Sequence, residues 1–285
     1  MENEDSENIV KDVIYGSQYE KDDDSAVYFI SIAVTLLISF LLISVSFLYL
    51  WPSIEEISSQ GPSGALIIWE DEYREITGIN NVDHLDGSGI TLCIVDSGID
   101  MNHPGLEGLE LEKWNDFVNQ IEDPYDDEGH GTAMAGIIVA KNGLNGNAQG
   151  VTLLVAKAID KDGTGTDQII SQSVDWCAEN GAHIISLSLG GEQGFGAGIF
   201  TTDALERSVE NALDLGIFIV AAAGNDGEND DGDVESPGSV GDVICVGGIT
   251  RDGDIWKGSS IGDNDGRFFP NPIFPRSNPD KKPEI

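Results

Sequence analysis

Basic side chains are scarce in this chain: 14 lysines and arginines stand against 51 aspartates and glutamates, for a formal net charge of −37. A surface of this sign repels phosphates, which argues against nucleic acid and anionic lipid as partners. The composition instead suits the acidic, strongly hydrated surface of proteins from salty water. With 285 residues, 40% of them hydrophobic, the chain can hold one large domain or two small ones.

Cysteine is also rare, since the sequence has only Cys93, Cys177 and Cys245. Each lies in an apolar segment, and their spacing is not that of a metal site. We therefore predict three free thiols in the core and no disulfide bond.

Histidine is nearly as rare, with four in the chain. His130 lies between Gly129 and Gly131, after three carboxylates and before a small, apolar run that is compatible with a helix. The glycines allow close backbone approach, and histidine is the side chain best suited to proton transfer near neutral pH. A structural histidine at a helix start fits this stretch equally well. The other three are interpreted as structural, namely His84, His103 and His183.

The part of the chain before residue 85 divides into three segments. Residues 1–25 are rich in acids and lack periodicity, which predicts a disordered tail. Residues 26–50 carry no charge and exceed the roughly 20 residues that span a bilayer, and their start is too acidic for a signal peptide, so we predict a transmembrane helix. The only nearby basic residues, Lys11 and Lys21, precede it, which favours a cytoplasmic N-terminus. Residues 51–84 form a connector.

From residue 85 onward, short apolar runs rich in β-branched residues alternate with helix-like segments. Such runs are typical of parallel strands buried on both faces. Residues 85–285 are therefore predicted to form a three-layer α/β domain on a mostly parallel, doubly wound sheet. The predicted strands are Ile90–Val95, Val151–Ala158, His183–Leu189, Ile217–Ala223 and Val243–Gly247, and the predicted helices are Trp69–Ile79, His130–Lys141, Asp167–Asn180 and Thr201–Leu215.

Chemically useful side chains follow several of these strands. Parallel strands present their carboxyl ends at one edge, where ligands bind, and Asp96 and Asn225 each follow a strand. Together with His130 they supply an acid, an amide donor and a base. A carboxylate can orient an imidazole, and an amide can donate to an oxyanion. For each residue by itself, a turn or capping role is the alternative.

Four motifs, in this order, resemble those of the subtilisin-like serine proteases, the subtilase family. They are Val95-Asp96-Ser97-Gly98-Ile99 with His103-Pro104, Gly129-His130-Gly131-Thr132 with Ala135-Gly136, Ser186-Leu187-Ser188-Leu189-Gly190-Gly191, and Ala222-Ala223-Gly224-Asn225. Two lesser landmarks also match, Ser236-Pro237-Gly238 and Ser259-Ser260-Ile261-Gly262. The resemblance covers residues 85 to 285 and implies a subtilisin-like fold.

The resemblance also implies roles for individual residues. Asp96 would orient His130, His130 would act as general base and then general acid, and Asn225 would stabilise the oxyanion. An extended polypeptide substrate would pair with strand-like segments of the protein. The residues implied for this pairing are Ser188, Leu189, Gly190, Thr164 and Gly165.

The family's nucleophile, a serine in a Gly-Thr-Ser-Met-Ala-like motif, has no counterpart after Asn225. Ser259 and Ser260 match an earlier landmark, and residues 282–285 resemble the run that precedes the nucleophile segment. We therefore expect a domain that is incomplete at its C-terminus and exposes the apolar surface that a missing helix would bury.

A calcium site is the one cofactor site that the resemblance leaves open. Relatives often bind calcium partly through an acid shortly after the His-Pro pair, but this chain has Gly105 there. The loop Asn142–Asn147 could still offer carbonyl ligands. The acidic run Glu228–Asp233 is interpreted as a solvated loop.

Two functions remain open at this point. The first is a membrane-anchored serine endopeptidase with its peptidase domain outside the cytoplasm, present here as a fragment without its serine. The second is a non-catalytic pseudoprotease that holds extended peptides. A nucleotide-binding protein is disfavoured, because Gly194-x-Gly196-x-Gly198 does not follow the first strand and Asp96 would repel a pyrophosphate.

Overall fold

The computed structural model describes residues 26–51, 61–190, 204–227, 233–262 and 282–285. The chain divides into two units, residues 1–60 and residues 61–285. The tail predicted over residues 1–25, most of the Glu228–Asp233 loop and part of the connector lie outside the described residues.

The first unit contributes one apolar helix, α1 (Ala26–Trp51), as predicted. It is long and apolar enough to cross a membrane, a property that signal sequences near an N-terminus share. Two of its hydroxyl groups bond within the helix, since Ser31 Oγ donates to the Tyr28 carbonyl and Thr35 Oγ1 donates to the Ser31 carbonyl.

The second unit is built on a six-stranded parallel sheet. Its strands are β1 (Thr91–Asp96), β2 (Lys113–Asp116), β3 (Thr152–Lys157), β4 (Ile184–Leu187), β5 (Phe218–Ala222) and β6 (Ile244–Val246), in the spatial order β2-β3-β1-β4-β5-β6. The strand order reverses at β1, which has β3 on one side and β4 on the other. Such a switch point is where doubly wound sheets bind ligands, and the predicted fold class is confirmed.

All five predicted strands are present: β1 has the predicted length but begins one residue later, and the other four are shorter than predicted. Strand β2 was not predicted from the sequence. Its residues Lys113-Trp114-Asn115-Asp116 lie at the edge of the sheet and pair with β3 alone. An edge strand is buried on fewer sides than a central one, so it lacks the continuous apolar run that identifies the others.

The described residues of the second unit form four α-helices, α2 (Gly64–Ile76), α3 (His130–Val139), α4 (Asp167–Glu179) and α5 (Ala204–Asp214). Residues 201–203 of the helix predicted over Thr201–Leu215 are outside the described part. Helix α2 begins before the predicted Trp69, because Ser63 Oγ accepts a hydrogen bond from the Leu66 amide at 3.4 Å and so caps it. Helix α4 is capped in the same way by Thr166.

Strand residues alternate between the two faces of the sheet and so between two cores. Cys93 and Val95 point toward α4 and α5, whereas Leu92 and Ile94 point toward α3. The second face is incompletely covered: Phe218 on β5 is 62% exposed and Val246 on β6 is 36% exposed. Apolar side chains of β5 and β6 are thus exposed, while the incompleteness expected from the sequence stays a prediction.

The cysteine prediction is wrong for two of the three residues. Cys93 on β1 and Cys177 on α4 form a disulfide bond with a Cα–Cα distance of 5.9 Å. This distance is typical of disulfide bonds, which shows that β1 and α4 pack close together at this point. Both cysteines are fully buried. Sequence spacing could not reveal this contact, because the two residues are 84 positions apart. Cys245 is a free, buried thiol as predicted.

Candidate active site

His130 and Asp96 meet at the carboxyl edge of the sheet. Asp96 is the last residue of β1 and His130 is the first residue of α3. His130 Nδ1 lies 2.8 Å from Asp96 Oδ1 and 3.0 Å from Asp96 Oδ2. The Asp96 side chain is 3% exposed, whereas the imidazole is 45% exposed. Within the part of the chain that the structure describes, Asp96 is the only side-chain partner of this ring, so Nε2 is the nitrogen left for a substrate or nucleophile.

The environment of Asp96 affects its protonation. Burial raises the pKa of this carboxyl group above its ordinary value, and the nearby charge of Asp126 adds to the effect. Hydrogen bonds from His130 and from the Ser97 amide oppose the shift without cancelling it. A carboxylate in this setting is well placed to stabilise a protonated imidazole beside it.

A compact hydrogen-bond network holds β1 and α3 together. Ser97 Oγ donates to Asp126 Oδ1 at 2.9 Å and accepts from the Gly131 amide at 2.9 Å. Asp126 also accepts hydrogen bonds from the amides of Gly129 and Thr132. Together these contacts fix the turn that precedes His130.

The two glycines beside His130 serve different purposes. A Cβ atom on Gly131 would lie 2.2 Å from the Gly98 carbonyl oxygen, so a larger residue would push α3 away from β1. Gly129 has a φ of 104°, which favours glycine. Gly131 therefore allows the predicted close backbone approach, whereas Gly129 serves its backbone conformation, since a Cβ atom there would meet no atom within 4 Å.

Lys157, the last residue of β3, lies fully buried below this turn. It is the register partner of Asp96 in the sheet. Its Nζ donates to the Ser97 carbonyl at 2.5 Å, to Asp127 Oδ1 at 2.6 Å and to the Ile159 carbonyl at 2.9 Å. One ammonium group thus contacts both the segment that follows Asp96 and the turn that precedes His130.

A cavity of about 280 Å³ opens beside the pair. Four of the predicted substrate-binding residues line it, namely Ser188, Leu189, Gly190 and Gly165. The remaining lining residues besides Asp96 and His130 are Glu128, Ile159, Gly163, Asp167, Ile170, Leu205 and Ser236. The cavity thus lies between the loop after β3 and the segment after β4, where an extended peptide could lie.

Two predicted site residues do not line the cavity. Thr164 Oγ1 donates to Asp160 Oδ2 at 2.9 Å, so its side chain shapes the loop. Asn225 follows β5, is exposed, and comes directly after Gly224, whose φ is 106°. The oxyanion role of Asn225 stays a prediction.

Neither serine after Asn225 that the sequence singled out resembles a nucleophile. Ser260 is fully buried, and its Oγ accepts a hydrogen bond from the Asp226 amide at 3.0 Å. Ser259 is 2% exposed, and its Oγ accepts from the Gly248 amide at 2.9 Å. Both hydroxyls stabilise loops.

The loop Asn142–Asn147, which was considered as a source of calcium ligands, is held by hydrogen bonds to side chains of α2. Arg74 Nη1 on this helix donates to Asn147 Oδ1 at 2.8 Å, and Glu70 Oε1 accepts from the Asn145 amide. This guanidinium supplies positive charge beside the loop, which disfavours a cation there, and the calcium site stays a prediction. Among the described residues, no group of three or more His, Cys, Asp or Glu could hold a metal ion.

Several site residues escaped the sequence analysis. Glu128 and Asp126 were visible only as members of a carboxylate run, and Lys157 only as a charge at the end of an apolar strand. Lys157 could have been identified from its place in an otherwise apolar strand, because lysine is almost never fully buried without a partner.

The part of the chain that carries this site is similar in sequence to known proteases. The model of the Subtilase family, Peptidase_S8, matches residues 87–275. Thermitase from Thermoactinomyces vulgaris is 38% identical over 149 residues, which cover 51% of this chain and 50% of that protein. Serine protease AprX from Bacillus subtilis (strain 168) is 37% identical over 183 residues, covering 60% and 40%.

A solved structure agrees with these relatives. The crystal structure of a cold adapted subtilisin-like serine proteinase matches with a TM-score of 0.53 and 30% identity, covering 63% of this chain and 62% of that one. The chain spans about half or less of the length of the curated relatives described above. The family match extends over more than half of the chain and includes both Asp96 and His130. The chain therefore belongs to the subtilase family of serine proteases.

Proposed function

We propose that this protein is a membrane-anchored serine endopeptidase in which Asp96 and His130 work with a serine supplied from outside residues 1–285. One observation carries the proposal: a buried carboxylate bonds to Nδ1 of a half-exposed imidazole at the mouth of a cavity. A pair with only a structural role would have no need of an exposed ring beside a cavity.

The proposed roles follow from this geometry. His130 Nε2 would take the proton of the attacking hydroxyl and later give it to the leaving amine. Asp96 would hold the ring in the tautomer with its proton on Nδ1 and stabilise the imidazolium. Asn225 would donate to the oxyanion, a contribution worth about 10²–10³ in turnover for such donors.

The substrate would be a polypeptide bound in extended form. Ser188, Leu189 and Gly190 would pair with its main chain on one side, with Thr164 and Gly165 on the other. Both segments flank the cavity, and the glycines keep their backbones accessible.

The membrane anchor and the side of the membrane are part of the proposal. In it, residues 26–50 span the bilayer, residues 51–84 connect, and residues 85–285 form the peptidase domain. The disulfide between Cys93 and Cys177 supports a location outside the cytoplasm, because such bonds persist in oxidising compartments. The positive charges before the span favour the same orientation.

The proposal includes a segment beyond these residues that carries the serine and covers the exposed face of β5 and β6. Parallel sheets are ordinarily covered on both faces. Phe218 and Val246 are the exposed side chains that such a segment would bury.

A serine-directed probe tests this function. The native protein, isolated from its source membrane, is treated with a fluorophosphonate, which labels only activated serines, and is assayed for casein hydrolysis. We expect labelling and hydrolysis, both lowered about 10⁴-fold or more by His130→Ala. His103→Ala is the matched control, because His103 only accepts a hydrogen bond from the Gly105 amide.

The pseudoprotease is the second candidate, and the exposed hydrophobic face is compatible with it as well. A native protein that binds extended peptides but neither takes up the probe nor cleaves casein would establish it. Absence of both peptide binding and labelling would contradict both functions.

A further inference from the structure

The α3–β3 loop, Asn142–Asn147, folds back on the end of the helix that precedes it. The amide of Gly146 donates to the carbonyl of Ala140 at 2.8 Å, and the amide of Asn147 donates to the carbonyl of Ile137 at 2.9 Å. The last carbonyls of a helix have no donor within the helix itself. These hydrogen bonds therefore close the C-terminal end of α3.

The end of α3 that this loop closes favours a positive charge. Aligned carbonyl dipoles give the C-terminus of a helix a partial negative charge, which cations and basic side chains stabilise. The resemblance to the subtilases implies that calcium could fill this role. In the structure, the positive group that contacts the loop is the guanidinium of Arg74, which belongs to α2.

Arg74 bonds to the last residue of the loop. Its Nη1 donates to Asn147 Oδ1 at 2.8 Å, and its Nε donates to Asn80 Oδ1 at 3.1 Å. Asn147 Nδ2 in turn donates to the hydroxyl of Tyr73 at 3.2 Å. Both ends of the Asn147 side chain are thus bound to α2. A metal ion on Asn147 Oδ1 would lie next to the guanidinium, and like charges repel.

Two other residues of the loop also contact α2 or the segment before it. Glu70 Oε1 accepts a hydrogen bond from the amide of Asn145. A Cβ atom on Gly143 would lie 2.2 Å from Pro62 Cδ, so the chain that leads into α2 packs directly against the loop. The contacts of α2 therefore extend along the loop and are not confined to Asn147.

On another side, the loop meets the residues that follow Pro104. Asn142 Nδ2 donates to Glu107 Oε2 at 3.1 Å. Gly105 stands where relatives often have an acidic ligand, and its carbonyl accepts from the amide of Lys141 at 3.2 Å. A cation would meet here a carboxylate and a carbonyl that already accept hydrogen bonds.

We infer that α2 takes the place of a metal ion at the α3–β3 loop. Arg74 supplies the positive charge, Tyr73 and Arg74 hold the side chain of Asn147, and Glu70 holds the backbone at Asn145. The loop then keeps its conformation, and the end of α3 stays closed, without calcium.

Limited proteolysis tests this inference at the loop itself. Lys141 is exposed and directly precedes the loop, so cleavage after it follows the fraction of molecules in which the loop is open. The full chain in detergent micelles is digested with endoproteinase Lys-C, with either calcium chloride or EDTA present, and the fragments are weighed after reduction. Cleavage after Lys161, whose side chain is 68% exposed, is the internal reference. We expect equal cleavage after Lys141 with calcium and with EDTA.

Substitutions on both sides of the contact identify what holds the loop. Arg74→Met keeps the aliphatic stem but removes a charge-assisted hydrogen bond, and it should speed cleavage after Lys141 about 10-fold. Asn147→Ala removes the same contact from the loop, so the double variant should be cleaved no faster than the faster single variant. Arg251→Met is the matched control. Arg251 pairs with Glu72 of the same helix but comes from the segment after β6, so this change should leave the rate unaltered.

Four results would overturn the inference. Faster cleavage after Lys141 in EDTA, reversed by calcium, would show that a metal ion holds the loop. Equal rates for Arg74→Met and the original chain would exclude the guanidinium. Additive effects of Arg74→Met and Asn147→Ala would show that these two residues act separately. The same increase with Arg251→Met would show that only the general attachment of α2 matters.

Discussion

At the scale of single residues, Lys157 shows how the His130–Asp96 pair is held. An ammonium group without exposure to water is stable only when its donors are paired. Here the three partners belong to the segment after β1, the turn before α3 and the segment after β3. The lysine thus joins the backbone that carries Asp96 to the turn that carries His130.

Replacing this lysine should destabilise the folded chain. Lys157→Met keeps the length of the side chain but leaves the carbonyls of Ser97 and Ile159 without a donor, at about 1–3 kcal/mol for each buried group. We expect a loss of about 2–4 kcal/mol in urea unfolding monitored by tryptophan fluorescence. Lys161→Met is the control, because Lys161 is 68% exposed and pairs only with adjacent Asp162, so it should change stability little. Similar values for the two variants would contradict the role of Lys157.

Asp126 makes the turn before His130 sensitive to acid. Burial by itself would raise the pKa of Asp126, but hydrogen bonds from the Thr132 hydroxyl and from the amides of Gly129, Thr132 and Glu128 together lower it. A carboxyl group whose pKa is lower in the folded state stabilises that state above its unfolded pKa, about 3.9. This stability disappears as the pH falls through the folded pKa.

We therefore expect the free energy of unfolding to fall below about pH 4, with a smaller pH dependence in Asp126→Asn. The measurement is urea unfolding at several pH values between about 2 and 7. Asp123→Asn, at an exposed position of the same loop, should retain the pH dependence of the original chain. A profile of Asp126→Asn parallel to that of the original chain would show that this carboxylate is not responsible.

The site was partly predictable at this scale. His130 and Asp96 could be predicted because glycines and a strand end mark their positions in the sequence itself. Lys157 and Asp126 could not, since their importance depends on partners that the fold brings from other segments.

At the scale of secondary-structure elements, the disulfide fixes α4 to the central strand β1. Removal of such a bond from a folded domain typically costs about 2–5 kcal/mol. Because both sulfur atoms are fully buried, the bond is also shielded from reductants in the folded protein.

Thiol counting tests this bond. In denaturant without reductant, we expect one reactive thiol per chain, Cys245, and three after reduction. In the folded protein Cys245 should react slowly, because burial raises the pKa of its thiol to about 11. Three reactive thiols without reductant would contradict the disulfide and support three free cysteines.

The contribution of the disulfide to stability can be measured by urea unfolding. The double variant Cys93→Ala with Cys177→Ala should be less stable by about 2–5 kcal/mol. Cys245→Ala is the control, because it leaves the Cys93–Cys177 disulfide intact.

The elements themselves were largely predictable, because buried parallel strands and amphipathic helices follow from apolar runs and periodicity. The edge strand β2 and the start of α2 were the exceptions. Both depend on local pairing or capping by few residues, which gives only a weak sequence signal.

At the scale of the whole molecule, the sheet is covered unevenly. Helices α4 and α5 bury one face, and α3 buries the other only around β1 and β3. Phe218 and Val246 remain in contact with solvent. The alternation of strand residues explains why these two side chains lie on the same face, and the helix that the family resemblance implies there stays a prediction.

Under the proposed peptidase function, the disulfide has one more consequence. Cys93 and Cys177 close a covalent ring that contains Asp96, His130 and the exposed loop of residues 161–166. A single break of the backbone anywhere in that ring leaves both pieces joined, so the halves cannot diffuse apart and the acid and the base stay on one molecule. Such a nicked molecule would run as one band on a gel without reductant and as two with it, and it would survive its own accidental cuts.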